Sequence, residues 1–243
     1  MARGKLGLDI VTLSNPESVA SEQYRSIRSN IQIQREKEAL TSLMITSASP
    51  GEGKTTTSVN LAVVFALTKC KTLLIDGDLR KRSITEALNV PNASGLCGIL
   101  DKGYSLESST YQTNIENLDV LPSGVYSENP AEVLASAGFK KLLREIKLAY
   151  DFVVIDVPPI TEVADAKIIA TLVDSCALVV RDSKSSKKLI IEAKKLLDNS
   201  GANVLGVIYN GNKTKKSKHY GYGGAYGYGS RKKEKSPFRL WKQ

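Results

Sequence analysis

The stretch SASPGEGKTTT, residues 47–57, decides how the rest of the 243-residue chain is read. It follows an apolar run, Leu43-Met44-Ile45, and leads into an alternating small and apolar segment, Ser58 to Phe65, that predicts a buried helix. The order is strand, glycine-rich loop, helix. Ala48, then Gly53-Lys54-Thr55 after four intervening residues, fit the phosphate-loop pattern, with Ala48 standing where glycine is usual. Such a loop turns backbone N–H groups inward around an anion. Gly51 and Gly53 permit this by adopting dihedrals closed to other residues, and a helix N-terminus behind them favours negative charge. Pro50, Gly51, Glu52, Gly53, Lys54, Thr55 and Thr56 are therefore the candidate phosphate-binding residues, with Lys54 reaching the terminal phosphates and the Thr55 hydroxyl holding Mg²⁺.

Two further segments end where a ligand on this loop needs them. Lys71 to Asp76 is a continuous apolar run followed by Gly77 and Asp78, which predicts a strand buried on both faces that delivers carboxylates to the sheet's C-terminal edge. Phe152 to Ile155, ending in Asp156-Val-Pro158-Pro159, has the form of a second such strand. This is the expected form of a Walker B element, an apolar strand that would deliver Asp156 to the metal side of a nucleotide. Strands are also expected at Leu118 to Leu121, Ala177 to Val180 and Val204 to Tyr209, and a lysine-rich helix over about 186–199. Asn129-Pro130 reads as a helix start with proline in the first turn. Residues 89–104 are rich in Gly and Asn. The alternation of strand and helix predicts an α/β fold with a mostly parallel sheet and helices on both faces.

Residues 1–17 read as an extended arm without periodicity. Ser18 is positioned to cap a helix from about Val19 to Glu38, whose Glu22, Arg25 and Arg28 are three apart along one side. That helix is half polar, which suits either a salt-bridged surface or a meeting with another subunit.

Composition narrows the rest. With 42% apolar residues the chain is long enough for one substantial core, no apolar run approaches the roughly 20 residues needed to cross a bilayer, and MARGKLGLDIVTL, residues 1–13, lacks the apolar stretch of a secretion signal. A cytoplasmic protein is expected. Cys70, Cys97 and Cys176 are far apart and odd in number, so free thiols are expected rather than a disulfide or metal site. A single His219 excludes any mechanism needing two histidines. The net charge of +9 is confined to the end of the chain: residues 213–243 hold ten Lys or Arg against Glu234 alone, and the signs balance before them. Within that tail lies HYGYGGAYGYG, residues 219–229. Basic residues interleaved with aromatics are the composition of nucleic-acid tails and of flexible low-complexity segments.

Taken together, SASPGEGKTTT, LLIDGDLRK (73–81) and FVVIDVPP (152–159) resemble the Walker A motif, the second, aspartate-bearing Walker motif and the Walker B motif of the bacterial tyrosine kinases, phosphate-loop autokinases that regulate capsule and exopolysaccharide synthesis. LPSGVYSENPAEVL (121–134) is also similar to a family segment, and Glu22, Arg25 and Arg28 match its subunit-contact motif. The glycine-spaced Tyr220, Tyr222, Tyr226 and Tyr228 resemble its C-terminal tyrosine cluster. The resemblance covers nearly the whole chain and implies a P-loop NTPase fold of the deviant-Walker, partition-ATPase-like kind. It divides the chain into an arm (1–17), a kinase domain (18–212) whose helix 18–39 serves oligomerisation, and a flexible tail (213–243).

By the same resemblance the substrate is ATP with Mg²⁺. Lys54 neutralises the transferring phosphate, Thr55, Asp78 and Asp156 hold the metal, Asp76 takes the proton of the attacking tyrosine, and Asn210 stands where related ATPases read adenine. The implied partners are a separate transmembrane polysaccharide co-polymerase that activates the kinase, further copies of the chain in a ring, a cognate tyrosine phosphatase and other protein substrates. No nucleic acid is expected. The implied location is the inner face of the plasma membrane, reached through the activator. The competing class is the partition and cell-division ATPases, nucleotide switches acting on membrane or DNA. Those carry a signature lysine where this chain has Ser49.

Overall fold

The computed structural model describes residues 8, 10–125, 128–182 and 184–211. The tail of 213–243, with Tyr220, Tyr222, Tyr226 and Tyr228, lies outside the described residues. Along the chain, α1 (Val11–Ser14) and α2 (Val19–Glu38) precede β1 (Ser42–Ser47), and the glycine-rich loop leads into α3 (Lys54–Ala66) and β2 (Thr72–Asp76). Three short helices, α4 (Ser83–Leu88), α5 (Leu96–Lys102) and α6 (Leu106–Ser109), come before β3 (Tyr111–Gln112) and β4 (Leu118–Leu121). The remainder is α7 (Pro130–Ala135), α8 (Ala137–Ala149), β5 (Phe152–Asp156), α9 (Ala164–Ala170), β6 (Ser175–Arg181), α10 (Lys187–Asn199) and β7 (Val204–Asn210).

The seven strands form one sheet in the order β3-β4-β2-β5-β1-β6-β7. Every pairing is parallel except that of β3 with β4. Every residue of β1, β2 and β5 is buried, because helices cover both faces of a parallel sheet; that is why these strands read as unbroken apolar runs. On one face α7, α8, α9 and α10 pack Leu134, Phe139, Leu142, Ile146, Ile169 and Leu197 against β1, β2 and β5. On the other, α3 contributes Leu61, Val63, Val64 and Phe65. The Phe65 ring lies 4.2 Å from that of Phe152, centroid to centroid. Truncating either ring in such a core costs about 3–5 kcal/mol.

Local chemistry sets several boundaries. Ser18 caps α2 by accepting from the Ser21 amide, and α2 ends at Ala39 in the left-handed region, φ +52°. A single helix from Pro130 is not formed: Ser136, with extended dihedrals, ends α7 and caps α8 through the Phe139 amide. The arm differs from its expected extended form. Val11–Ser14 makes one helical turn, because the Thr12 amide and hydroxyl both donate to Asn60 Oδ1 on α3, at 3.1 and 2.9 Å. A turn fixed by a contact 48 residues away leaves no periodicity in its own sequence. Cys97 and Cys176 are buried free thiols and Cys70 is a half-buried one. Among the described residues no helix is long and apolar enough to cross a membrane.

Candidate active site

The sheet brings three C-terminal strand ends side by side. In register, Asp76 of β2 lies beside Asp156 of β5, and Asp156 beside Ile45 of β1. The phosphate loop leaves β1 at this point. Chain order reverses around β1, so the crevice is at the sheet's switch point, where ligands bind in open α/β folds.

The loop is held open by its own residues and by strands β6 and β7. Gly51 and Gly53 have φ of +72° and +94°. Both values lie in the left-handed region that a side chain strains, and a Cβ on Gly53 would also run into the Asn210 amide that grips the loop, whereas one on Gly51 would meet only the movable end of Lys184. Glu52 is a strut. Its fully buried carboxylate accepts from the Ala48 and Ser49 amides at 2.9 and 3.1 Å and also from the Ser185 hydroxyl. Asn210 Nδ2 donates to the Glu52 carbonyl at 2.9 Å, and Arg181 and Lys184 donate to the Gly51 carbonyl at 3.0 and 3.3 Å. Asn210 thus grips the loop from the end of β7. Arg181, Lys184 and Ser185 were not singled out from the sequence; their signal was their place just after a strand on the same sheet edge.

Replacing Glu52 with Ala strands the buried Ala48 amide, at a cost of about 1–3 kcal/mol, and also the part-buried Ser49 amide. The expected result is a lower unfolding midpoint together with nucleotide affinity reduced about tenfold or more, read by denaturant melts and titration calorimetry.

Within the crevice Lys54 is the only buried cation among the described residues. Its Nζ lies 3.4 Å from Asp78 Oδ2 and 3.6 Å from Asp156 Oδ2. Asp156 Oδ2 also accepts from the Thr55 hydroxyl at 2.7 Å, and its Oδ1 from the Ser58 hydroxyl at 3.0 Å. Asp78 Oδ1 accepts from the Lys81 amide at 2.9 Å. Burial works against the Lys54 charge, but Asp156, Asp78 and Asp76 outweigh it and raise the ammonium above its ordinary range. Burial also pushes Asp156 up, against the pull of Lys54, Thr55 and Ser58. Three aspartates and one lysine leave an excess of negative charge that a divalent cation would neutralise. The available donors are the Thr55 hydroxyl and aspartate oxygens, the hard set Mg²⁺ takes when it keeps waters and binds through one or two carboxylates plus phosphates.

Asp76 is different from its neighbours. Its Oδ2 accepts from the amide and hydroxyl of Thr85 at 2.9 and 2.7 Å, while the buried Oδ1 has no partner. Burial raises it to about 7, with Thr85 opposing and the other two aspartates adding. Because the folded state holds this proton more tightly than the unfolded chain does, its contribution to stability is complete below about pH 4 and is lost as pH rises towards 7. Asp76→Asn is therefore expected to gain stability relative to wild type at pH 8, by a few kcal/mol at most, and to show no gain at pH 4. Paired thermal melts at the two pH values check this.

The third predicted group lies elsewhere. Glu22 and Arg25 pair with each other at 2.7 Å on exposed α2, and Arg25 also donates to the Pro16 carbonyl. Arg28 donates to the Val64 carbonyl at 3.3 Å, near the far end of α3. An ion pair not anticipated from sequence joins Arg80 to Asp165, with Nε to Oδ2 at 2.9 Å. It fixes the segment after Asp78 to α9.

Comparison with known proteins bears on this geometry. A family described as "AAA domain" matches residues 41–190. Over 216 residues the chain is 44% identical to the tyrosine-protein kinase YwqD of Bacillus subtilis (strain 168), covering 89% of this chain and 91% of that one. Among solved structures, the chimerical protein CapA2B2 superimposes with a TM-score of 0.79 at 38% identity, covering 82% of this chain and 88% of that one. The kinase domain of the Escherichia coli tyrosine kinase ETK gives 0.82 at 31% identity, covering 88% and 84%.

Proposed function

The chain belongs to the bacterial tyrosine-protein kinases, and on that premise we propose that it transfers the γ-phosphoryl group of Mg-ATP to its own tail tyrosines, Tyr220, Tyr222, Tyr226 and Tyr228. The observation that carries this reading is Lys54 set between Asp78 and Asp156, with the Thr55 hydroxyl hydrogen-bonded to Asp156, directly after the glycine-rich loop.

Phosphoryl transfer needs little covalent help, so positioning and charge neutralisation carry most of the catalysis. In the proposed mechanism the loop amides and Lys54 hold the phosphates, and Lys54 balances charge on the transferring group. Thr55, Asp78 and Asp156 would hold Mg²⁺, which would supply positive charge to neutralise the phosphates. A tyrosine hydroxyl, with an ordinary pKa near 10, is a poor nucleophile at neutral pH. Asp76 takes its proton through the unpartnered Oδ1, a general base whose value near neutrality suits the task. The phenolic oxygen bonds to phosphorus as the bond to the ADP oxygen breaks. Asn210, at the β7 end beside the loop, is the proposed adenine contact.

The tail reaches widely. The 15 residues from Gly211 to Tyr226 span up to roughly 50 Å extended, enough to enter this crevice or a neighbour's. Glu22 and Arg25 on exposed α2 support a ring of copies, each presenting its tail to the next. Partnership with a membrane-bound activator, reversal by a tyrosine phosphatase, action on other proteins and a role in capsule or exopolysaccharide synthesis complete the proposal and place the protein at the inner membrane face. Its alternative, a nucleotide switch on membrane or DNA, calls for a signature lysine where this chain has Ser49.

Mass mapping after incubation with Mg-ATP and the activator's cytoplasmic peptide tests the proposal. Phosphate is expected on the four named tyrosines. Each adds about −1.5 to −2 charges to a basic tail, so fully modified protein is expected to be a smaller assembly by light scattering. Phosphate absent from all four would overturn the assignment of the substrate.

A further inference from the structure

On the face of the sheet that carries α8, a second cleft lies away from the nucleotide crevice. It has a volume of about 240 Å³ and is lined by Lys140, Leu143, Arg144, Lys147, Thr171 and Leu172. Three of the six are cations, two are leucines and none is a carboxylate. The cleft lies toward the opposite end of the sheet from the phosphate loop: Asp174, paired with Lys147, also accepts from the amides and hydroxyls of Thr41 and Ser42 at the start of β1. Those four bonds, at 2.9–3.0 Å, fix Asp174 and through it Lys147. Asp174 neutralises Lys147, whereas Lys140 and Arg144 have no carboxylate partner among the described residues. The cleft therefore carries two uncompensated positive charges beside a buried Leu143 and a half-buried Leu172.

This combination discriminates among anions. A carboxylate brings one charge, and bare phosphate has no use for the leucines. An aryl phosphate uses both features: its −1.5 to −2 charges match Lys140 and Arg144, and its ring covers the leucines. The volume is just below the roughly 300–1,000 Å³ of whole small-molecule sites, which suits one side chain rather than a cofactor. We propose that this cleft binds a phosphorylated tyrosine side chain.

Resting on the proposed function, the ligand is the chain's own product. From Gly211 the tail reaches Tyr220 to Tyr228 over 9 to 17 residues, a span of roughly 30–55 Å extended, so a phosphorylated tail of the same or a neighbouring copy can be held here. The product then leaves the nucleotide crevice free while it stays bound.

The test uses a fluorescent synthetic peptide, HYGYGGAYGYG with phosphate on the residue corresponding to Tyr222. It is titrated against the full chain with Tyr220, Tyr222, Tyr226 and Tyr228 changed to Phe, so that its own tail cannot compete. The phosphopeptide is expected to bind at least about tenfold more tightly than the unmodified peptide. Lys140→Glu with Arg144→Glu, both on the exposed side of α8, should remove at least about tenfold of that affinity and leave ATP-analogue binding unchanged. Phenyl phosphate should compete better than inorganic phosphate, and ADP should not compete. Unchanged binding by the double variant, or competition by ADP, overturns the site; equal competition by inorganic phosphate overturns its aryl specificity. Because the peptide carries its phosphate from synthesis, failure of the autokinase reading leaves this outcome unaffected.

Discussion

Lys54→Met is expected to lower phosphoryl transfer by about 10³-fold or more, since a preorganised cation on a transferring phosphoryl group accounts for that much in related chemistry. The change removes the one cation held among Asp76, Asp78 and Asp156. A second effect follows from the same contacts. Three buried carboxylates lose their counter-charge, and breaking a buried ion pair from one side costs about 3–5 kcal/mol. The variant is expected to melt lower than wild type at pH 8. The penalty should shrink at lower pH, where Asp76 and Asp156, both raised by burial, take up protons. Single-turnover transfer assayed well below the melting midpoint, with circular dichroism confirming the fold, separates catalysis from unfolding.

Asp156→Asn is expected to cost about 10²–10³ in the same assay with a different stability signature. Asn keeps the shape and one acceptor for the Thr55 hydroxyl, now 2.7 Å from Oδ2, but brings no charge for a divalent cation. Burial raises Asp156, so its contribution to stability falls as pH rises; removing the charge should leave the nucleotide-free protein as stable as wild type, or more so, at pH 8. Lost activity with undiminished melting, and a raised Mg²⁺ requirement, is the combined result expected. A variant that melts far lower would show that Asp156 holds the fold rather than the metal.

The central strands were legible because burial on both faces demands continuous apolar runs, and the reading of Phe152–Ile155 extends by only one residue, Asp156, in β5. The phosphate loop and its helix were legible because Gly53-Lys54-Thr55 leaves few alternatives. The short helices α4, α5 and α6 were not. They sit in a stretch interrupted by glycine and asparagine, and what orders them is tertiary: the Thr85 amide and hydroxyl bind Asp76, and Asn92 bonds the Gly124 backbone in both directions. Likewise Glu52 was assigned to phosphate binding from its place in the loop, but nothing in the sequence shows its side chain turning back onto Ala48 and Ser49. Arg80 with Asp165, and Arg181 with Gly51, join positions 85 and 130 residues apart. Such pairs have no local pattern to betray them.

The most direct measurement follows the γ-phosphate of labelled ATP through the first turnovers of the intact chain with Mg²⁺ and the activator's cytoplasmic peptide, partitioning it between protein and free phosphate. If the crevice delivers phosphoryl groups to the tail, most of the label appears as alkali-stable phosphotyrosine, and none does with Lys54→Met or with the four tail tyrosines changed to Phe. Label released entirely as inorganic phosphate by the intact chain would contradict the account and leave a nucleotide switch in its place.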